Sequence, residues 1–571
     1  MSTDKPILPG ERPLENGLLA AAIVVILGVQ VAFLIYFNIN WDEFLYLSLV
    51  FEYANGTLAK SLQTFHVHLF SWMSYLDWDE VRLTLLGRTF MLVCELLTLG
   101  FVFLIARKFT GARFALLAVL SYLASGFVLM QGTSFRADPM ITALLMASIY
   151  LLMDSSDNWW KDVAATIAIA LALVISIKSV FYAPPILGAL LWRTRQDGEI
   201  KHRLRIIFSL ALGVSVAFLV FYFWHRSTLS TGDGNDLSRL DSIFSKVLLD
   251  LPFWPQRQYF LSWITASWSQ MLLILAGIYL LWKRDDRDSV IRLKVAILFA
   301  LPLLSIFFYR NAFPYFFPFI VAPAMPAVSI GARAVTENVS RSFDRTLFAT
   351  IVIYMIVYTL GQAYLYSYHD QEGQRKTIAA IHSMFPEPVP YIDRNSMIAS
   401  FPQCGLFMSS WGIENYRKKG KPVFERILDE CEPKFLLTNA YQLDAAMRAK
   451  SSEENSYALF DRDASALRSN FIHHWGAIWV AGKSFDLDGR PISFHIPAEG
   501  IYTVESPAQI ILDGQQYEDG DYLFLSKGSH VIESVPQQVE LRFGRHLPRP
   551  DYAPSWPIYY DFLWNILNML E

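Results

Sequence analysis

The most constraining feature of this chain is a series of apolar stretches between Gly17 and Ser367, about eleven in all. Crossing a bilayer as a helix takes roughly 17 to 25 predominantly apolar residues. The first stretch is Gly17 to Phe37, followed by others near 83–106, 112–130, 137–153, 162–180, 183–192, 206–224, 267–282, 294–309, 313–332 and 346–367. The first is too long for a cleavable signal and runs into Asn-Ile-Asn-Trp rather than a small-residue cleavage site. Segment 183–192 is short and holds Pro184-Pro185, so ten or twelve crossings are equally open. Composition agrees, with 53% hydrophobic and only 18% charged residues, against about 25% charged in a soluble domain. The 42 Phe, 27 Tyr and 16 Trp exclude disorder, and a net charge of -4 gives no reason to expect nucleic acid. The fold class expected is mainly α, a polytopic membrane protein.

Loop charges predict the orientation. With a cytoplasmic N-terminus, the basic clusters Arg107/Lys108/Arg113, Arg193 to Arg205, Lys283 to Lys294 and Arg333 to Arg345 fall on one side, as the excess of Lys and Arg in cytoplasmic loops requires. The expected location is the inner (plasma) membrane, multi-pass, with the C-terminal third periplasmic or extracellular. Three units are expected: a membrane domain over residues 1–367, an α/β domain over 368–485, and a β-sandwich over 486–571. The sandwich reading rests on alternating segments such as Gly500 to Val504 and Gln538 to Phe543, with turn signals at Asp513-Gly514 and Lys527-Gly528. Ile558 to Leu570 is aromatic and amphipathic, suited to lying on the membrane surface or on the sandwich. Cys94 reads as packing. Cys404 and Cys431 fall in a compartment that permits a disulfide, but spacing alone does not decide whether they pair.

The first loop on the tail side, residues 38–82, is the most informative stretch. Asn40-Trp41-Asp42-Glu43 follows the first membrane helix directly. Carboxylates at a membrane boundary are costly to keep there, which makes them functional candidates, although acids also cap helix N-termini. Phe44 to Tyr53 is apolar yet too short to span, and reads as a helix lying in the interface; Thr64 to Trp72 is a second such segment.

This layout resembles the GT-C membrane glycosyltransferases, in particular the branch with the protein O-mannosyltransferases and the lipid A aminoarabinose transferase. Asp42-Glu43 match that branch's acidic pair, and Phe65-His66-Val-His68-Leu-Phe-Ser-Trp72 is similar to its second element, without the prolines. Phe135-Arg136-Ala-Asp138-Pro is similar to its Arg-x-Asp/Glu helix start, and Tyr309-Arg310-Asn-Ala-Phe-Pro314-Tyr315-Phe-Phe-Pro318-Phe to its late Arg/His-Tyr-Phe-Leu-Pro-Leu helix. The resemblance covers roughly residues 15–367 and leaves the tail out. It implies a sugar transferred, with inversion, from a polyprenyl-phosphate-linked donor to a lipid, glycan or protein acceptor at the extracytoplasmic face, by a hexosyl- or pentosyltransferase. Asp42 is then the general base or the carboxylate that positions the acceptor, and Glu43 orients acceptor or donor.

Cations at the same ends of the helices are candidates for the donor phosphate: Arg136, Lys178, Arg257 and Arg310. Arg offers a bidentate fork to phosphate and Lys a point charge, while snorkelling to the interface is the competing explanation. His66, His68, Asp138 and Tyr315 are expected to line the acceptor cleft, with interfacial hydrogen bonding the other reading for the histidines. Arg88 is expected to pair with Glu95 or Asp42. His473-His474-Trp475 reads as a surface loop rather than a metal site, since no third ligand is near in sequence. No metal-ligand cluster is visible, so no cofactor is expected; a divalent metal is not indicated, though metal dependence stays open. The long loop 225–266 with Gly232-Asp-Gly234 suits a lid.

Two other functions compete. A transporter or flippase of a lipid-linked glycan requires midplane charges and internal repeats, and no repeat is visible. A non-catalytic cell-envelope assembly protein leaves the acidic pair unexplained.

Overall fold

The computed structural model describes residues 13–154, 158–195, 200–230, 254–406, 408–448 and 458–554. Most of the expected lid and the amphipathic segment Ile558 to Leu570 lie outside these residues. The chain is a mostly helical, polytopic membrane protein with a β-rich tail. Among the described residues, seven helices are long and apolar enough to span a bilayer: Leu14–Tyr36, Glu80–Arg107, Lys201–Ser227, Arg257–Trp282, Arg287–Phe307, Phe316–Asn338 and Ser342–Tyr366. Ala112–Leu123 and Ala137–Leu152 are shorter apolar helices. The 162–180 and 183–192 segments are helical too, as Trp159–Ile175 and Ala183–Arg193.

Small residues allow one close helix crossing. A Cβ added at Gly277 would lie 2.3 Å from the Cα of Gly331, so Arg257–Trp282 and Met325–Asn338 meet backbone to backbone. At the membrane-domain end away from the tail, buried Arg113 bridges Glu15 at 2.6 Å and Asp344 at 3.2 Å. That triad ties three helices together, and the basic loops Arg107 to Arg113, Arg284 to Arg292 and Arg333 share this end: Arg292 and Arg333 each donate to the Phe109 carbonyl at 2.9 Å.

The tail is built on an eight-stranded sheet. Three short parallel strands, Tyr391–Ile392, Gln403–Cys404 and Phe435–Leu437, form one margin. Ile478–Leu487 then pairs antiparallel with both Phe435–Leu437 and Gln537–Phe543, so the sheet continues from the α/β part into the sandwich, and position 485/486 falls inside a strand. A four-stranded sheet faces it, and Val504, Leu541 and Ile532 fill the space between. Cys404 and Cys431 form a disulfide. His473 and His474 lie in the strand Phe471–Trp475 rather than in a loop, with His474 buried.

The tail clamps the membrane domain where the first helix ends. Ile39 and Gln374 bond reciprocally, backbone N–H to Oε1 at 2.8 Å and Nε2 to carbonyl at 2.7 Å. The Asn38 N–H donates to the His369 carbonyl at 3.1 Å. His382 reaches Glu80 at 2.9 Å, at the start of Glu80–Arg107.

Candidate active site

Asn40 starts the interfacial helix Trp41–Ala54. Its side chain accepts the Asp42 N–H at 2.8 Å, and its own N–H donates to Glu43 Oε1 at 3.0 Å. This reciprocal cap fixes the turn that carries both acids. Arg88 then takes Glu43 with two hydrogen bonds, Nε to Oε2 at 2.8 Å and Nη2 to Oε1 at 2.7 Å. Its remaining donors reach the carbonyls of Phe37 and Asn38 at 2.8 Å, at the end of the first helix. The Phe135 N–H adds a fourth bond to Glu43, at 2.8 Å. That approach is possible because Gly87 faces the Phe135 ring, where a Cβ would come within 2.4 Å. Glu43 thus accepts four hydrogen bonds from within the protein. Arg88 pairs with Glu43, not with Glu95 or Asp42.

Asp42 stands one residue earlier and points elsewhere. Its carboxylate forms an ion pair with Arg136, which also contacts Asp138 at 3.3 Å. Asp138 in turn holds Lys178. The Arg136 guanidinium lies 3.6 Å from the centre of the Tyr315 ring, and Lys178 Nζ 5.5 Å from the same ring. Asp42, Arg136, Asp138 and Lys178 are all more than nine-tenths buried. Two acids and two bases thus alternate in a chain, Asp42 to Arg136 to Asp138 to Lys178, over the Tyr315 ring. Burying such charges is tolerable only when each is paired. Five expected residues meet here, from four separate parts of the chain.

Sequence reasoning did not single out Tyr46, whose ring lies 5.7 Å from Arg136. Burial and the negative charge of Asp138 raise its phenol above the ordinary range, which keeps it a neutral hydrogen-bond donor. The position four residues after Asp42, one helical turn on, was the available signal. Two tail residues also escaped notice. Arg394 lies over the Trp41 ring at 4.6 Å, and Asn395 donates to the Trp41 carbonyl at 2.8 Å. Their loop follows the parallel strand Tyr391–Ile392. It is pinned by Asp393, which accepts backbone N–H groups from Asn395, Ser396 and Met397 at 2.7 to 3.0 Å.

The other expected residues lie further out. His66 sits beneath Tyr46, with rings 4.6 Å apart and Nε2 3.3 Å from the Tyr46 carbonyl. Burial lowers its pKa to about 4, so it is a neutral support for Tyr46. His68 faces away, bonding His225 at 2.8 Å. Arg310 pairs with Glu414 of the tail, and Arg257 is exposed in the first turn of its helix. Among the described residues, no group of three or more His, Cys, Asp or Glu side chains is placed to hold a metal ion.

A membrane helix bundle with an acidic helix start just after its first span, a basic pair facing it and a β-rich tail over that end is an arrangement similar in fold to solved membrane glycosyltransferases of the GT-C type. Residues 84–224 match the family model described as dolichyl-phosphate-mannose-protein mannosyltransferase. The chain is similar in fold to ArnT from Cupriavidus metallidurans bound to undecaprenyl phosphate, with a TM-score of 0.51 and 15% identity over 76% of this chain and 95% of that one. It is also similar to the Archaeoglobus fulgidus oligosaccharyltransferase in the apo form, with a TM-score of 0.51 and 10% identity over 91% of this chain and 77% of that one. No curated protein matches the chain in sequence.

Proposed function

We propose that this chain is an inverting glycosyltransferase that moves a sugar from a polyprenyl-phosphate carrier to an acceptor at the extracytoplasmic membrane face. The observation that carries this reading is the buried network of Asp42, Arg136, Asp138 and Lys178 over Tyr315. An acceptor hydroxyl oxygen attacks the anomeric carbon as the bond from that carbon to the phosphate oxygen breaks. The lipid phosphate leaves with the electron pair, and Asp42 takes the hydroxyl proton. Charge then accumulates on the phosphate, where Arg136 and Lys178 stabilise it with donors already in place. Asp138 acts as the counter-anion that holds both cations aimed until the lipid arrives. Glu43 and Arg88 are positioning residues that fix the backbone of Asp42. Arg310 and Arg257 form an outer rim for the donor. Where the acceptor is itself a phosphate, Asp42 positions it and takes no proton. The reading calls for no metal.

Supporting it are the family match over 84–224 and the fold shared with an enzyme solved with undecaprenyl phosphate. The test is binding of undecaprenyl phosphate to the purified chain in nanodiscs. Arg136→Ala and Lys178→Ala are each expected to weaken it by about tenfold or more, as loss of a charge-assisted contact of about 1.5–3 kcal/mol implies. Equal affinity in both variants contradicts the assignment. A head group bound at the midplane and open to both sides favours a flippase instead.

A further inference from the structure

The tail, residues 368–571, is acidic as a whole, with 27 Asp and Glu against 19 Lys and Arg. One short stretch runs the other way: Arg417-Lys418-Lys419-Gly420-Lys421 sets four cations within five residues. It closes the helix Ser410–Lys419, which Gly420 ends in the left-handed conformation, its N–H donating to the Arg417 carbonyl at 3.1 Å. Lys418, Lys419 and Lys421 are exposed and have no ion pair among the described residues. Elsewhere in the tail, Lys376, Lys434, Arg448, Arg462, Lys527 and Arg542 each meet an acid.

The seat of this helix gives the cluster a direction. Glu414, in its second turn, pairs with Arg310. Arg310 lies between the spans Arg287–Phe307 and Phe316–Asn338, so the helix rests where two membrane helices end. Residues four apart share a helix face. Lys418 therefore stands on the face that Glu414 turns to the membrane domain, about 6 Å further along the axis. The headgroup layer on each side of a bilayer is roughly 5–7 Å deep, which puts the lysines within reach of it. Arg417 is held back over the Phe460 ring at 4.7 Å, leaving the three lysines to make the contact.

The helix dipole favours cations in a last turn, but Lys421 lies past the end of the helix. An acidic tail is repelled by an anionic leaflet, and a basic cluster where it meets the membrane domain reverses that repulsion locally. We infer that Lys418, Lys419 and Lys421 dock the tail on the anionic phospholipid headgroups of the bilayer that holds the chain, beside Arg310. Each cation near an anionic leaflet strengthens such attachment about fivefold. The inference is independent of the transferase reading, since its readout is docking and not turnover.

The test is amide hydrogen exchange over residues 410–421 in the purified full chain, in nanodiscs of phosphatidylcholine alone or with about one third phosphatidylglycerol. Protection is expected to be at least about tenfold greater in the anionic discs and to fall as salt rises through the range that screens surface charge. The triple variant Lys418→Gln, Lys419→Gln, Lys421→Gln should abolish the difference, and the corresponding Lys→Arg variant should keep it. Equal protection in both kinds of disc, or a difference that survives the Lys→Gln variant, overturns the docking. Protection produced just as well by soluble glycerol phosphate over phosphatidylcholine discs assigns the lysines to free phosphate and overturns the lipid assignment.

Discussion

Arg88 grips Glu43 across 45 residues of sequence, with hydrogen bonds of 2.7 and 2.8 Å between two side chains that are almost wholly buried. The same guanidinium caps the carbonyl end of the first membrane helix. One residue pair thus fixes where the helix ends and where the next begins, and so where Asp42 stands. Removing one member strands the other charge in the interior. Arg88→Ala is expected to cost about 3–5 kcal/mol, measured as unfolding in detergent. Removing Arg88 and Glu43 together should cost less than the sum of the single losses. An unchanged melting temperature in Arg88→Ala contradicts this account.

His382 joins the tail to Glu80 at the head of a membrane helix. The hydrogen bond to that carboxylate raises the imidazole above its ordinary value near 6.5, against the opposing effect of burial. A raised folded-state pKa adds stability that is fully present below the unfolded value and is lost as pH rises through the folded value. The joint should therefore weaken on going from about pH 6 to about pH 9. Thermal unfolding across that range checks this, with His382→Gln expected to flatten the dependence. An equal pH slope in both proteins counts against it.

Arg394 reaches from the tail onto Trp41, next to Asp42. If the tail helps to aim the helix that carries Asp42, Arg394→Ala should lower kcat about twofold to thirtyfold while leaving the donor KM unaltered, from a contact of about 0.5–2 kcal/mol. Arg394→Lys should recover part of the loss, since Lys keeps the charge but not the stacking plane. A change in melting temperature with an unchanged kcat would show the contact to be only a brace.

Much of the membrane part was legible because its signals are long or local. Every expected apolar segment is helical, and the short interfacial run after Asp42 is a helix of 14 residues. Asp42, Arg136, Asp138, Lys178 and Tyr315 were each named from motifs or helix-end charge, and they converge. What sequence concealed was pairing at a distance. Glu43 looked equivalent to Asp42, and only the fold separates the member that Arg88 holds from the member that faces Arg136. The tail's parallel strands are two or three residues long, too short for any periodicity to register. His473-His474, expected in a loop, lies instead in a strand whose register shifts at that point, an irregularity set by its pairing with Ile478–Leu487. The pairing of Cys404 with Cys431 depends on separation in space, which spacing in sequence does not supply.

Reducing that disulfide should loosen the tail. Closing a loop across a separation of 27 residues removes unfolded-state freedom, typically 2–4 kcal/mol. Cys431→Ser, or added reductant, is expected to lower the unfolding temperature of the tail. Identical melting with and without reductant contradicts this.

Asp42 is the residue proposed to take the acceptor proton. The most direct measurement is sugar transfer from a polyprenyl-phosphate donor to a hydroxyl acceptor by Asp42→Asn, in nanodiscs, with insertion and melting temperature confirmed as unchanged. Asn keeps the shape and loses the base, so kcat is expected to fall about 10²–10⁴-fold with donor binding preserved. Transfer at the unaltered rate, from a correctly folded variant, contradicts the account.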